Sequence, residues 1–365
     1  MDNSLASKQA SKQASKQASK HARLVYYDTL RVLLVILVVI SHGTYYGMNT
    51  HFGGIHYNEL METAGILDTV FHKVASALTS FIYMFHMPVF IALSGSLFAL
   101  SKETTFVVLL KKKACRLLIP FVGVWFLWNL PIKYISGYYQ GIPWYKIIIQ
   151  TIFPANVYLW YLECLFFVFL LAYFLRKVKS EKLQLALVLI SWGVGLILYR
   201  KLYMWHFLGD PLYYLGWFYL GYRIEDIIGC LKKHNFWNDF CMGGLFATNL
   251  ILFMVDYFLS IKVLYLLNQI IVIPLSMFLI LNYFTRKAHS SVLVNSISEY
   301  GLGIYLYAEP LNYLCLFLFW QYCGIGIFGT ELGAFTIYMT RIIVTPLVAV
   351  VVTFLLKKAK IKYMY

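Results

Sequence analysis

The chain has 365 residues, 61% of them apolar and 13% charged, with a mean hydropathy of +0.69. A soluble domain averages about 45–50% apolar and about 25% charged residues, so a single water-facing core is excluded and the excess apolar surface needs lipid as its solvent. The net charge of +15 does not point to nucleic acid, because the cations cluster at the ends of apolar segments, where they act as topology signals.

In chain order, residues 6–20 come first, a four-residue repeat ASKQASKQASKQASK with Lys8, Lys12, Lys16 and Lys20 at i,i+4 spacing and no apolar face. Such a segment does not fold by itself. Its place before the first apolar run suits attraction to anionic lipid, or no more than reinforcement of topology. No cleaved signal peptide is expected, since that run is too long for an h-region and lacks a small-residue cleavage site.

A spanning helix needs about 20 apolar residues. Ten segments qualify: 30–47, 77–100, 114–131, 157–175, 184–200, 207–224, 239–258, 263–284, 301–320 and 335–356. Pro131 is expected to interrupt the third. The stretch 141–156 is short, carries Pro143 and Pro154, and reads as interfacial or re-entrant. The connection 48–75, with His51, His56, Glu59, Glu62, Asp68 and His72, reads as an acceptor-binding element or a solvated connection.

The connections on one side, including both chain ends, hold 23 Lys and Arg residues, and those on the other hold seven, Lys133 and Arg341 among them. That asymmetry puts both termini in the cytoplasm. The expected fold is therefore an all-α integral membrane protein of about ten transmembrane helices. A basic low-complexity tail (1–23) precedes one membrane domain (24–356), and a short basic tail (357–365) follows it. The six cysteines, Cys115, Cys164, Cys230, Cys241, Cys315 and Cys323, form no CxxC pair and no zinc spacing. They read as small buried hydrophobes, and no metal is expected.

Ionisable residues inside spans carry the functional signal, because burying them in lipid is expensive. Arg31 and His42 bracket the run RVLLVILVVISH. Eleven helical residues turn by about 1100°, about 20° from three whole turns, so both side chains share a face about 16 Å apart along the axis. Taken singly, Arg31 snorkels to headgroups, or His42 is a neutral ring satisfied by another helix. Their shared face favours a common site.

Lys113 and Arg116 share a face at the start of the third segment. With Arg31 they form a cation set suited to polyphosphate, although anchoring explains part of the run 111–113. In the second segment, FHMPVFIALSG holds His86 and Pro88, and the small triplet Ser94, Gly95 and Ser96 stands at its end, with close helix contact as its role. In the fourth, LWYLECLFF holds Glu163 near the expected depth of His42, where a carboxylate can orient a base. In the ninth, GIYLYAEPLNY holds Glu309 beside Pro310. Cations at one mouth and a base in the far half suit a ligand with phosphates at one end and its reacting group at the other, as in a coenzyme A thioester.

These motifs, with YYLGWFYLGYRI and SEYGLGIYLYAEPL, resemble the acyltransferase-3 family of polytopic membrane acyltransferases over about residues 24–356. Arg31 and His42 match its R-x10-H pattern. Lys113 stands where arginine is usual, and Glu309 where histidine is frequent. The resemblance implies a donor taken from cytoplasmic acyl-CoA, acetyl-CoA in particular, with Arg31, Lys113 and Arg116 binding its phosphates. His42, oriented by Glu163, would act as base or acyl carrier, with His86 and Glu309 as accessory groups. The acceptor would be a hydroxyl of an external or lipid-linked glycan, and the setting the plasma membrane. No fused second transfer domain is expected after residue 356. Two other readings are a transporter or flippase of a lipid-linked sugar, weakened because the halves show no inverted repeat, and an acyltransferase acting on a small metabolite. Oligomeric state is not legible in the sequence.

Overall fold

The structure, a computed structural model, describes residues 27–44, 65–102, 105–139, 141–152, 158–201, 206–224, 226–227, 239–259, 267, 271, 273–287, 291–361 and 364. The N-terminal repeat and residues 48–64, with His51, His56, Glu59 and Glu62, lie outside them. Among the described residues all regular structure is helical, with no strand.

The helices in chain order are α1 (27–42), α2 (Val70–Ala99), α3 (Phe106–Ile135), the short α4 (Trp144–Ile152), α5 (Trp160–Lys177), α6 (Glu181–Lys201), α7 (His206–Tyr222), α8 (Asp239–Leu259), α9 (Ile273–Lys287), α10 (Val292–Cys323) and α11 (Glu331–Lys358). Each of the ten apolar segments carries a helix. Among the described residues, five stretches are long and apolar enough to cross a membrane by length and composition: α2, α3, α11, Glu181–Leu198 and Val294–Cys323.

The start of α2 is fixed twice. Thr69 accepts a hydrogen bond from the His72 amide at 3.2 Å, and the Glu331 carboxylate accepts from the amides of Val70 and Phe71 at 2.7 and 3.0 Å. An anion at these unpaired N–H groups also complements the helix dipole. The start of α11 is thereby tied to the start of α2.

Helix α3 does not stop at Pro131, contrary to the sequence expectation. Proline lacks an N–H, and its ring collides with the carbonyl four residues back. Here the backbone widens into π-helical turns at Ala114–Leu118 and Trp125–Asn129, just ahead of Pro120 and Pro131. The wider turn gives each ring room, and α3 continues to Ile135.

Helix α7 packs on α2, α5 and α6. The small triplet of α2 has the role expected of it. A Cβ on Gly95 would fall on the Phe218 carbonyl, a Cβ on Gly221 would fall on the Ala92 carbonyl, and the Ser96 hydroxyl donates to the Gly221 carbonyl at 3.0 Å.

Helix α10 pairs with α11 and lies against α3. Pro310 leaves the Leu306 carbonyl without its helical donor, and the Tyr158 hydroxyl donates to that oxygen at 2.5 Å. The Tyr305 hydroxyl returns a bond to the Tyr158 carbonyl at 2.7 Å, and Trp128 Nε1 donates to the Tyr307 carbonyl at 3.0 Å. After α11 the chain turns back at Lys360, whose φ is 55°. The Met364 carbonyl accepts from the Tyr307 hydroxyl at 2.5 Å, so Met364 is held against α10.

The α2–α7 crossing gives a direct test. Gly221→Val is expected to force the helices apart and cost about 1–3 kcal/mol, read as a lower unfolding midpoint in detergent. Gly243→Val, with nothing within 4 Å of the added carbon, should shift stability by no more than about 0.5 kcal/mol.

Candidate active site

Helices α1 and α10 run side by side in the same direction. At one end, Arg31 Nη1 donates to Asp28 Oδ1 at 3.2 Å and to Ser298 Oγ at 3.3 Å, and Ser298 donates to Asp28 at 2.8 Å. One turn on, a Cβ added to Gly301 would stand 3.3 Å from Val35. At the other end, His42 and Glu309 line one cavity. Ser298 and Glu309 are eleven residues apart, as are Arg31 and His42. Both helices therefore carry the same three-turn interval, which keeps two polar levels in register about 16 Å apart.

The wall between the levels is apolar: Val35, Val38 and Val39 of α1, Phe90 of α2, and Ile304 and Ala308 of α10. The polar head of the cavity consists of His42, Tyr305, Glu309, Asn312 and Thr345.

His42 is the last residue of α1, where carbonyls run out of helical partners. Helix α11 supplies the donors. The Tyr338 hydroxyl donates to the Ile40 carbonyl at 3.1 Å, Arg341 Nη1 to the Gly43 carbonyl at 2.8 Å, and Arg341 Nη2 to the His42 carbonyl at 3.3 Å. A cation at this end also complements the helix dipole. The approach depends on Gly43, since a Cβ there would come within 2.6 Å of Ile342 and 2.7 Å of Tyr338. On the other flank, the Thr44 and Thr79 hydroxyls bond at 2.9 Å, joining the end of α1 to α2. The His42 ring stacks with Tyr83 at 6.4 Å between centroids, and Tyr83 meets His86 edge-on at 4.7 Å. His86 is buried, and its Nδ1 lies 2.9 Å from the Ile82 carbonyl. That contact makes Nδ1 the protonated nitrogen.

Behind Glu309 stands a second charged group. Lys133 Nζ is 3.7 Å from Glu309 Oε1, with side-chain exposures of 2% and 7%. The ammonium faces the rings of Tyr138, Tyr313 and Tyr158 at 4.5, 4.9 and 5.8 Å, a desolvated cation–π cage. The charge asymmetry of the sequence places Lys133 and Arg341 in the external connections. The structure corrects this: both are buried, at 2% and 1% exposure. Arg341 lies well inside the predicted segment 335–356, and an arginine within an apolar run is itself a functional signal. Lys133 lies only two residues beyond the predicted end of its segment, so the signal was present there too.

The other sequence candidates are placed as follows. Among the described residues no hydrogen bond joins Glu163 to His42. Glu163 is not part of the cavity wall, and its charged neighbour is Asp210. Lys113 Nζ sits 3.1 Å from the centroid of the Phe169 ring, and Arg116, its cationic neighbour, is exposed. Arg31 lies beside Ser298, and no contact joins it to Lys113 among the described residues. The described cysteines Cys115, Cys164, Cys315 and Cys323 are free thiols.

Taking one partner from a buried ion pair strands the other, at about 3–5 kcal/mol. Lys133→Met and Glu309→Leu should each lower stability by about that amount, and the double variant should recover most of it. A double-mutant cycle on detergent-solubilised protein checks this.

No curated protein and no solved structure is significantly similar to the chain. A family model does match: the acyltransferase-3 model, described as an acyltransferase domain, aligns with residues 24–356. That range contains the paired intervals of α1 and α10, the cavity and its caps, and the chain belongs to the acyltransferase-3 family.

Proposed function

We propose that the protein is a plasma-membrane O-acyltransferase. It moves an acyl group, acetyl in the first instance, from cytoplasmic acyl-CoA to a hydroxyl of a cell-surface or lipid-linked polysaccharide. The observation that carries this reading is the placement of His42 at the head of an apolar interval that begins at Arg31, in a chain of this family. The strong cation asymmetry supports ten spans with both termini cytoplasmic.

In this reading the Arg31 level is the donor mouth. Arginine has five N–H donors in a fixed fork. Asp28 and Ser298 hold Nη1, and the remaining edge of the guanidinium is suited to phosphate. Lys113 and Arg116 supply further positive charge on α3. The pantetheine arm follows the valine-lined wall and brings the thioester to the head of the cavity. There His42 takes the proton of the acceptor hydroxyl as general base. The oxygen attacks the thioester carbon, the C–S bond breaks, and the proton returns from His42 to the departing sulfur. Because α11 holds the backbone of His42 and Tyr83 holds its ring, the base is oriented without Glu163. We assign Glu163 no contact with His42. Glu309, paired with Lys133, keeps the head of the cavity polar.

His42→Ala is expected to abolish transfer of label from acetyl-CoA into membrane glycan, with the protein present at normal level. Full transfer in that variant would sink the proposal. Arg31→Ala should raise the KM for acetyl-CoA by about tenfold or more, one lost charge-assisted contact being worth about 1.5–3 kcal/mol. An unchanged dependence on acetyl-CoA concentration would remove Arg31 from the donor site. Transport of a lipid-linked sugar without label transfer would favour the flippase instead.

A further inference from the structure

A sugar hydroxyl meets a base in the cavity only if the sugar can enter, and the polar head of the cavity is covered. Glu309 and Asn312 line it at 6% and 5% exposure, and Lys133, the partner of Glu309, is 2% exposed. Side chains buried to that degree admit no sugar ring, so part of the cover must move before an acceptor binds. The cover lies apart from the main core. Tyr138 and Tyr139, on the connection between α3 and α4, are buried at 3% and 5% in a small apolar cluster with Ile66, Tyr313, Leu316 and Phe328. Tyr313 and Leu316 stand four and seven residues past Glu309 on α10, about one and two turns beyond the polar level.

Tyr138 rests against the buried ion pair. Its ring lies 4.5 Å from Lys133 Nζ, and its amide donates to the Lys133 carbonyl at 2.9 Å. It meets the rings of Tyr313 and Tyr139 edge-on, at 4.8 and 5.1 Å between centroids. The two tyrosines are bracketed by glycines in the left-handed region, Gly137 at φ 71° and Gly141 at φ 76°. Glycine takes that conformation at little cost and other residues are strained in it. Small residues at the ends of elements are the usual places where a lid absorbs its change of dihedral angle. Beyond Gly141, Trp144 and Tyr145 of α4 are exposed at 73% and 49%, as befits an interfacial anchor. The tyrosines thus sit on a short piece of chain between two separately held helices.

We propose that Tyr138 and Tyr139 form a glycine-hinged lid over the polar head of the cavity, and that its opening admits the acceptor sugar from the end opposite Arg31. The inference rests on the acyltransferase reading above. Rotation at Gly137 and Gly141 withdraws the two rings and leaves α3 and α4 in place. Open, the lid gives up one ring of the Lys133 cage and uncovers Glu309 and Asn312. Closed, it keeps water from the thioester beside His42, where water would take the acyl group and release it as a free acid.

Gly141 permits a test of the hinge alone, because an added Cβ there meets nothing within 4 Å. Gly141→Ala disfavours the left-handed backbone of the closed lid without touching its packing. The probe is a membrane-impermeant maleimide applied to the outer face of native membranes holding the full chain with Asn312→Cys. The readout is alkylation at position 312, located by mass spectrometry. Adding Gly141→Ala should speed that alkylation about threefold or more, and so should adding Tyr139→Ala, which leaves the Lys133 cage intact. A smaller change with either variant would overturn the lid. Cys164, buried in the main core, is the internal control, and a parallel rise there would mark general loosening and overturn it too. With labelled acetyl-CoA and Asn312 restored, Gly141→Ala should raise the release of acetate relative to transfer into glycan, again about threefold or more, over the background of His42→Ala membranes. An unchanged ratio would remove the lid from the reaction. Unchanged alkylation beside an inactive His42→Ala would sink this inference alone, whereas a fully active His42→Ala would sink the reading beneath it.

Discussion

No backbone carbonyl can be left bare in lipid, because each unsatisfied group there costs several kcal/mol. This constraint explains more of the structure than any single contact. Helix α1 ends at His42, within the protein, and its last carbonyls must find donors. Tyr338 and Arg341 of α11 provide them. Pro310 frees a carbonyl in the middle of α10, and Tyr158 supplies the missing donor. The same bonds that satisfy these oxygens fix α1, α10 and α11 relative to one another, and the cavity lies where the three meet. The site is a by-product of backbone accounting, with His42 carried on the helix end that most needed support.

Buried charge follows the same logic at higher stakes. Lys133 and Glu309 each lose several kcal/mol of hydration on burial, and a contact of 3.7 Å recovers only part of it. The tyrosine rings around the ammonium recover more, about 2 kcal/mol when a cation is desolvated. A pair of hydrophobic residues would fill the space with less strain. The pair therefore makes better sense as a feature of the cavity it borders than as a stabiliser.

Much of this was legible beforehand. Ten apolar runs marked where helices would form, and the spacing of Arg31 and His42 foretold a shared face. The small triplet of α2 announced a close crossing. The errors share a physical origin. Pro131 looked like a terminus because proline breaks an α-helix, but sequence does not show that a π-turn can make room for the ring. A charge count alone places Lys133 and Arg341 with the loops, whereas their depth in or beside an apolar run agrees with burial. Matching depth along the membrane normal suggests a pairing of Glu163 with His42, but it carries no information on azimuth, and the charged neighbour of Glu163 is Asp210. Depth can be read from position in a run, but which way a helix faces depends on tertiary packing. Asn312 went unnoticed because a neutral amide in an apolar run raises no alarm in a search for ionisable groups.

The equal intervals on α1 and α10 have a consequence for how such a chain can diverge. The three valines of α1 and Ile304 and Ala308 of α10 contribute bulk between the polar levels, and many substitutions of similar volume would fill the same wall. The count of residues is another matter. Inserting or deleting one residue between Arg31 and His42, or between Ser298 and Glu309, turns everything beyond it by about 100° and shifts it by about 1.5 Å. One level would then lose its partner on the neighbouring helix. The side chains of these stretches can therefore be exchanged for others of similar bulk, but their length cannot change, each helix serving as the gauge for the other.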